Sequence, residues 1–169
     1  MGEVKNNTGS AQIDVDISLV LYDSNGTTLA NDRLIVPTQV MPNGVTLPFM
    51  FWALDVPSTP ARYSFSVNPN SEPPELIPRT DFPVSNLQRH LNDAGELVLT
   101  GQVTNNGTAA PVYAEIFVAF YNQDGKVVAM VSAFLDDTFM GPSQTVSFEL
   151  IAEGRISEVF SETATVLGY

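Results

Sequence analysis

Three features of this sequence could in principle do chemistry: one histidine, a surplus of carboxylates, and an Asx-Gly run with part of a calcium loop's spacing. His90 is the only histidine. A Ser-His-Asp relay would have to run through it, yet the sequence has no Gly-x-Ser-x-Gly elbow to present the nucleophile. A two-histidine metal site is impossible. His90 is therefore expected on a hairpin or another surface position. The 19 acidic residues could supply the carboxylate pair that glycoside hydrolysis needs. However, Asp14, Asp16 and Glu115 fall on outward strand positions and others fall in turns, the pattern of a solvated face. Asp23-x-Asn25-Gly26 resembles a calcium loop only in part. With Gly26 at loop position six, position one is Leu21, which cannot ligate, and the flanks read as strands rather than helices. A hairpin turn is the better reading. Asp136-Asp137 is a weaker calcium candidate still. No catalytic residue, metal site or cofactor follows from these patterns, and an enzyme is not expected.

Composition points the same way. The formal net charge is −12, from 19 acidic against 7 basic residues. A surface so negative repels phosphate backbones and anionic headgroups, which argues against nucleic acid and membrane surfaces as partners. There is no cysteine, so disulfides and thiolate-bound metals are excluded. No stretch approaches the ~20 apolar residues of a spanning helix, and Met1–Lys5 holds no apolar signal core. With 44% hydrophobic residues the chain can still bury a core.

The elements that would build that core repeat. Residues 2–51 align on 101–150 without a gap, at an offset of 99, with 12 identities in 50 positions. Chance gives about three at average residue frequencies. The identities include Gly2, Asn6, Tyr22, Gly26, Met41 and Phe49. Ile13, Val15, Ile17, Leu19 and Leu21 alternate with Asp14, Asp16, Ser18, Val20 and Tyr22, a period of two that predicts a half-buried strand. Asp23-Ser24-Asn25-Gly26 and Asn122-Gln123-Asp124-Gly125 predict matching hairpin turns. Further strands are expected near 28–36, 127–135, 46–52 and 145–151, with Tyr63, Phe65 and Val67 on a closing strand. No segment has a helical period. The expected fold is all-β: two tandem antiparallel immunoglobulin-like β-sandwiches.

The expected boundaries are 1–68 for the first module, 69–81 for a proline-rich linker, and 82–169 for the second module. Residues 82–100 have no counterpart in the first copy, since 82 − 99 = −17 falls before Met1. The missing strands are thus expected upstream in a longer parent chain, where a signal or anchor could also lie. Without them the first strand has an open edge, to be covered by the linker or by another chain, most simply in a homodimer.

Gly2-Glu3-Val4-Lys5-Asn6-Asn7-Thr8 followed by Leu19-Val20-Leu21-Tyr22-Asp23, and Gly101-Gln102-Val103-Thr104-Asn105 followed by Val118-Ala119-Phe120-Tyr121-Asn122, resemble the bacterial FxLYD modules. Leu19 and Val118 stand where that pattern has Phe, and Asn122 where it has Asp. The resemblance implies an immunoglobulin-like sandwich in an exported or surface-anchored bacterial protein, and it brings no catalytic residues. It implies an extracytoplasmic location.

The copies differ most at outward strand positions. Met50 and Trp52 occupy positions held by Glu149 and Ile151 in the second copy, while Tyr113 and Phe117 replace Asp14 and Ser18. Outward aromatics suggest a contact surface, because an apolar patch is costly to leave wet. Met50, Trp52, Tyr113 and Phe117 are therefore the candidate binding residues. The competing reading is that they pack between the modules. The expected function is a non-catalytic interaction or spacer module that meets a protein partner or a neighbouring module; the alternative is a carbohydrate-binding module using Trp52 or Tyr113.

Overall fold

A computed structural model describes residues 1–52, 56–57, 59–70, 75–135 and 140–169, so Asp136-Asp137 lies outside the described residues. The described chain is nearly all β. Its one helical element is a single 3-10 turn at Ile156–Glu158, and no helix among the described residues is long and apolar enough to cross a membrane. The first half contributes β1 (Gly2–Lys5), β2 (Gln12–Tyr22), β3 (Thr28–Ile35), β4 (Val40–Met41), β5 (Thr46–Phe49) and β6 (Arg62–Asn70). The second contributes β7 (Val84–Leu91), β8 (Leu97–Thr104), β9 (Ala114–Tyr121), β10 (Val127–Phe134), β11 (Thr145–Ile151), β12 (Glu153–Gly154) and β13 (Ser161–Gly168). All pairings are antiparallel. They form four sheets: β1-β5; β2 flanked by β3 and β6, with β4 beside its start; β11-β8-β7; and β12-β10-β9-β13.

Local chemistry explains the hairpins. The Asp23 side chain accepts the backbone N–H groups of Asn25 and Thr27, both at 2.8 Å. Gly26, at φ +87°, then closes the loop in a conformation that costs glycine nothing. Asn122 accepts from Asp124 and Lys126 in the same way, ahead of Gly125. Asn92 does so from Ala94 and Glu96, ahead of Gly95. Two tyrosines 99 residues apart brace the sheets. Tyr22 Oη lies 3.3 Å from Ser64 Oγ, and Tyr121 Oη lies 2.9 Å from Thr163 Oγ1.

Contacts recur 99 residues apart beyond the aligned segment. Arg62 sits opposite Tyr22 in the β6–β2 pair, and Ser161 opposite Tyr121 in the β13–β9 pair. The Phe49 ring lies over Gly2 and the Phe148 ring over Gly101, where an added Cβ would stand 2.8 Å and 2.6 Å from the ring carbons. Glycine is required at both positions because the cross-strand ring takes the side-chain space. β6 reaches Asn70 and Arg79 bridges Gly168, so both ends of the segment expected as linker are held in strand pairing.

The buried asparagines recur too. Asn105 is fully buried; its Nδ2 donates to the carbonyls of Ala109 (2.9 Å) and Met140 (2.7 Å), and its Oδ1 accepts from the Gly107 N–H and Arg79. Asn6 donates to the carbonyls of Ser10 and Met41 and accepts from the Thr8 amide and hydroxyl. Asn105→Ala leaves the buried Met140 carbonyl without its donor and loosens the partly buried Ala109 carbonyl and Gly107 amide, so it is expected to cost about 1–3 kcal/mol. Urea unfolding measures it. A midpoint unchanged from the parent would mean that water replaces these bonds freely.

Two apolar clusters form the interior. Phe82, Leu97, Leu99, Val103, Ile116, Val118 and Phe120 anchor the cluster of the second half. Val4, Val15, Ile17, Val36, Met41, Leu47 and Phe49 anchor the other, which also takes in Phe117 and Leu167 from the second half. The halves thus share a core. β5 packs across β9 and β10, Tyr121 Oη donates to Glu3 at 2.6 Å, and Tyr169 Oη lies 2.5 Å from Thr38 Oγ1.

Candidate functional site

The outward aromatics of the two halves meet different fates. Phe117 is 1% exposed, within the core that the two halves share. It is therefore closed to an outside partner, and its replacement of Ser18 is explained by packing between the halves. Tyr113 is half-buried and stacks on Tyr169, with centroids 4.5 Å apart and planes 17° apart; its edge meets Phe134. Met50 is half-buried. Trp52 is 63% exposed, so the described residues of its own chain do not cover it. Packing between modules accounts for Phe117 but not for Trp52.

Two of the three strand carboxylates, Asp16 and Glu115, depart from expectation. Asp14 is exposed at a bulge in β2, where its φ is +46°. Asp16 and Glu115, equivalent at offset 99, are buried rather than solvated. The reason is tertiary. The outer face of β9 lies under the first half, and Asp16 is covered by Arg33, with which it forms an ion pair. Ser132 occupies the equivalent of Arg33, and among the described residues Glu115 has no ion pair. Burial alone pushes the Glu115 carboxyl up to about 7. Asp23 is shifted the other way: the Thr27 amide bond holds its carboxyl below the usual range. His90 is exposed on β7. Among the described residues, no three His, Cys, Asp or Glu side chains gather as a metal site would require.

A hollow of about 580 Å³ lies between the halves, lined by Glu3, Thr46, Phe82, Tyr121 and Thr163. Among the described residues Glu3 is its only carboxylate, and it already accepts the Tyr121 hydroxyl, whose pKa is raised by burial and by that bond. This hollow therefore holds no carboxylate pair.

The more telling surface is the inner face of β6. Tyr63, Phe65 and Val67 are 69%, 39% and 46% exposed. Phe65 stacks on Phe51 (5.9 Å) and meets the Phe49 ring edge-on (5.4 Å), so the strip continues a buried aromatic cluster out to solvent. Beside it, Val4, Val15, Met41, Val67 and Pro69 line a groove of about 240 Å³. In the second half the equivalents of Tyr63, Phe65 and Val67 are Glu162, Ala164 and Val166. There Arg89 of β7 pairs with Glu162, and Val166 is buried in the cluster that contains Phe82. The first half has no β7 equivalent among the described residues, so the same face stays open.

Alternation along residues 63–67 placed these residues on a closing strand without saying whether anything covers them. The available signal was the offset itself. Carried on to residue 67, it sets two aromatics against Glu162 and Ala164. No family model, curated protein or solved structure matches this chain.

Proposed function

We propose that this chain consists of two tandem immunoglobulin-like sandwiches of the FxLYD type, acting as a non-catalytic, extracytoplasmic interaction module. The second half serves as a rigid platform, and the first half presents the binding face. The carrying observation is the asymmetry between the copies: Tyr63, Phe65 and Val67 form an open apolar strip where the second half closes the same face. Contacts repeated at an offset of 99 support the tandem reading, and the shared core around Phe117 supports a fixed orientation of the halves. The location rests on the resemblance alone. The partner proposed for the strip is protein, because strand edges and apolar strips are met by polypeptide.

Carbohydrate binding is the second reading, favoured by the exposure of Trp52, since a flat ring in water can stack on a sugar. The two readings separate by fluorescence, Trp52 being the only tryptophan. Titration of the full chain with cell-wall and plant oligosaccharides up to millimolar concentration is expected to leave the emission unchanged. A saturable quench or blue shift that is lost in Trp52→Ala would establish sugar binding and remove the protein-contact reading.

A further inference from the structure

The second half shows what a covered face looks like, and among the described residues the first half has no equivalent of β7. In the second half the Thr104 N–H donates to the Pro83 carbonyl (3.1 Å) and the Asn106 N–H to the Asp81 carbonyl (3.0 Å). Val84 sits opposite Val103 and Ser85 opposite Gln102. Phe82 is buried, with Val84 and Leu87 packed beside it. The equivalents of Thr104, Asn106, Val103 and Gln102 are Lys5, Asn7, Val4 and Glu3. Among the described residues β1 pairs only with β5, and Lys5 and Asn7 on it and just after it are exposed. Next to it lies the groove floored by Val4, Val15 and Met41.

We infer that this groove and the free edge of β1 form an acceptor site for one extended polypeptide strand, added antiparallel, with valine or isoleucine at two alternating inward positions. An unpaired edge supplies the backbone bonds, and the groove selects side chains at every second residue. The inference builds on the reading of the halves as copies of one module.

The side chains that differ between the halves define the occupant. Phe82 lies against Gly168, where a Cβ would overlap its ring. The equivalent of Gly168 is Pro69, which lines the groove. A phenylalanine at that point of an incoming strand is therefore crowded by the proline ring more than a smaller β-branched residue is. Arg79 bonds Asn105 Oδ1 and the Ala109 carbonyl, in space that any side chain at Gly107 would take. The equivalent of Gly107 is Thr8, whose hydroxyl already bonds Asn6 Oδ1 and accepts from Gln12. The first half thus needs no arginine from its partner strand. Both differences exclude residues 79–91 of a second copy as the natural occupant. That segment carries Arg79 and Phe82 and already closes its own half.

The test adds peptides to the full chain. One peptide has the sequence of residues 80–91, a second carries Phe82→Val, and a third carries Phe82→Val with Val84→Asp and Leu87→Asp. Affinity is read by fluorescence anisotropy of labelled peptide, and position by backbone amide exchange. The Phe82→Val peptide is expected to bind at least about tenfold more tightly than the unaltered one, from the overpacking it avoids, and to protect the Lys5 and Asn7 amides. The doubly acidic peptide should not bind. In the Pro69→Gly chain the order of the first two peptides should reverse or level. A concentration-dependent dimer that protects Lys5 and Asn7 without peptide would overturn the inference in favour of self-pairing. So would the absence of protection at these amides with every peptide. The same exchange data test the module reading separately: slow amides along the β2–β6 and β9–β13 pairs support the repeated fold, and their absence would remove it whatever the peptides do.

Discussion

Phe117→Ala is expected to destabilise the protein by about 3–5 kcal/mol, the cost of deleting a fully buried aromatic ring from a packed interior. The distinctive consequence concerns which half responds. Phe117 belongs by sequence to the second half, but it packs in the cluster built on Val4, Ile17, Met41 and Leu47. Its loss removes part of the floor on which the first half rests. Trp52 lies in the first half and is the only tryptophan, so its fluorescence reports that half, while far-ultraviolet dichroism reports the strands of both. In the parent chain the two signals should unfold together. In Phe117→Ala the Trp52 transition should come at lower denaturant than the dichroism transition. Phe120→Ala offers the control, since Phe120 is equally buried but packs within the second half's own cluster. If Phe117→Ala shifts the midpoint by no more than an exposed substitution does, the halves do not share a core in solution.

The second large effect is electrostatic. Glu115 is buried, and the resulting loss of hydration raises its carboxyl from an ordinary 4.5 to about 7. Between those values the folded chain holds a proton that the unfolded chain has released. Folding therefore binds protons in this window, and the stability contributed by the neutral carboxyl falls as pH rises from about 4.5 through 7. Above it the fold carries a buried charge. Glu115→Gln keeps the shape and removes the titration. The variant is expected to match the parent near pH 4 and to exceed it by about 1–3 kcal/mol at pH 8, after allowance for partial screening by solvent. Taking the difference between variant and parent cancels groups that titrate alike in both, such as Asp23 with its lowered pKa. The Tyr169 phenol, raised chiefly by burial, titrates above this window. Chemical denaturation at pH 4, 5.5 and 8 measures the effect. A difference that is the same at all three values would show that the carboxylate is solvated.

Asp16 and Glu115 differ in their neighbours. Both are acids at one position of the repeat, but Asp16 has Arg33 beside it and Glu115 has Ser132 at the equivalent place. The second half carries Ser132 and Phe117 where the first has Arg33 and Ser18, and Ser132 and Phe117 stand opposite each other in the β10–β9 pair.

Much of the all-β architecture was legible in the residue order, because its causes are local. The period of two in residues 13–22 places apolar side chains on one face whatever lies beyond them. Asp23 and Gly26, like Asn122 and Gly125, make their turns from their own side-chain bond and backbone freedom. The offset of 99 carried these features from one half to the other, down to the glycine under each cross-strand ring. What happens on the outer faces was not legible, because exposure is decided by what packs on a surface and not by the strand that presents it. Asp16 and Glu115 alternate like solvent-facing residues and are buried; Phe117 has the pattern of a contact residue and lies in the shared core. Tyr63, Phe65 and Val67 alternate like core residues and face water, because no described strand covers them. The sequence by itself determined where the strands, turns and repeat fall. Only the tertiary structure decided which faces are covered, since burial depends on the docking of segments far apart in the chain and on whether a neighbouring strand is there to meet them.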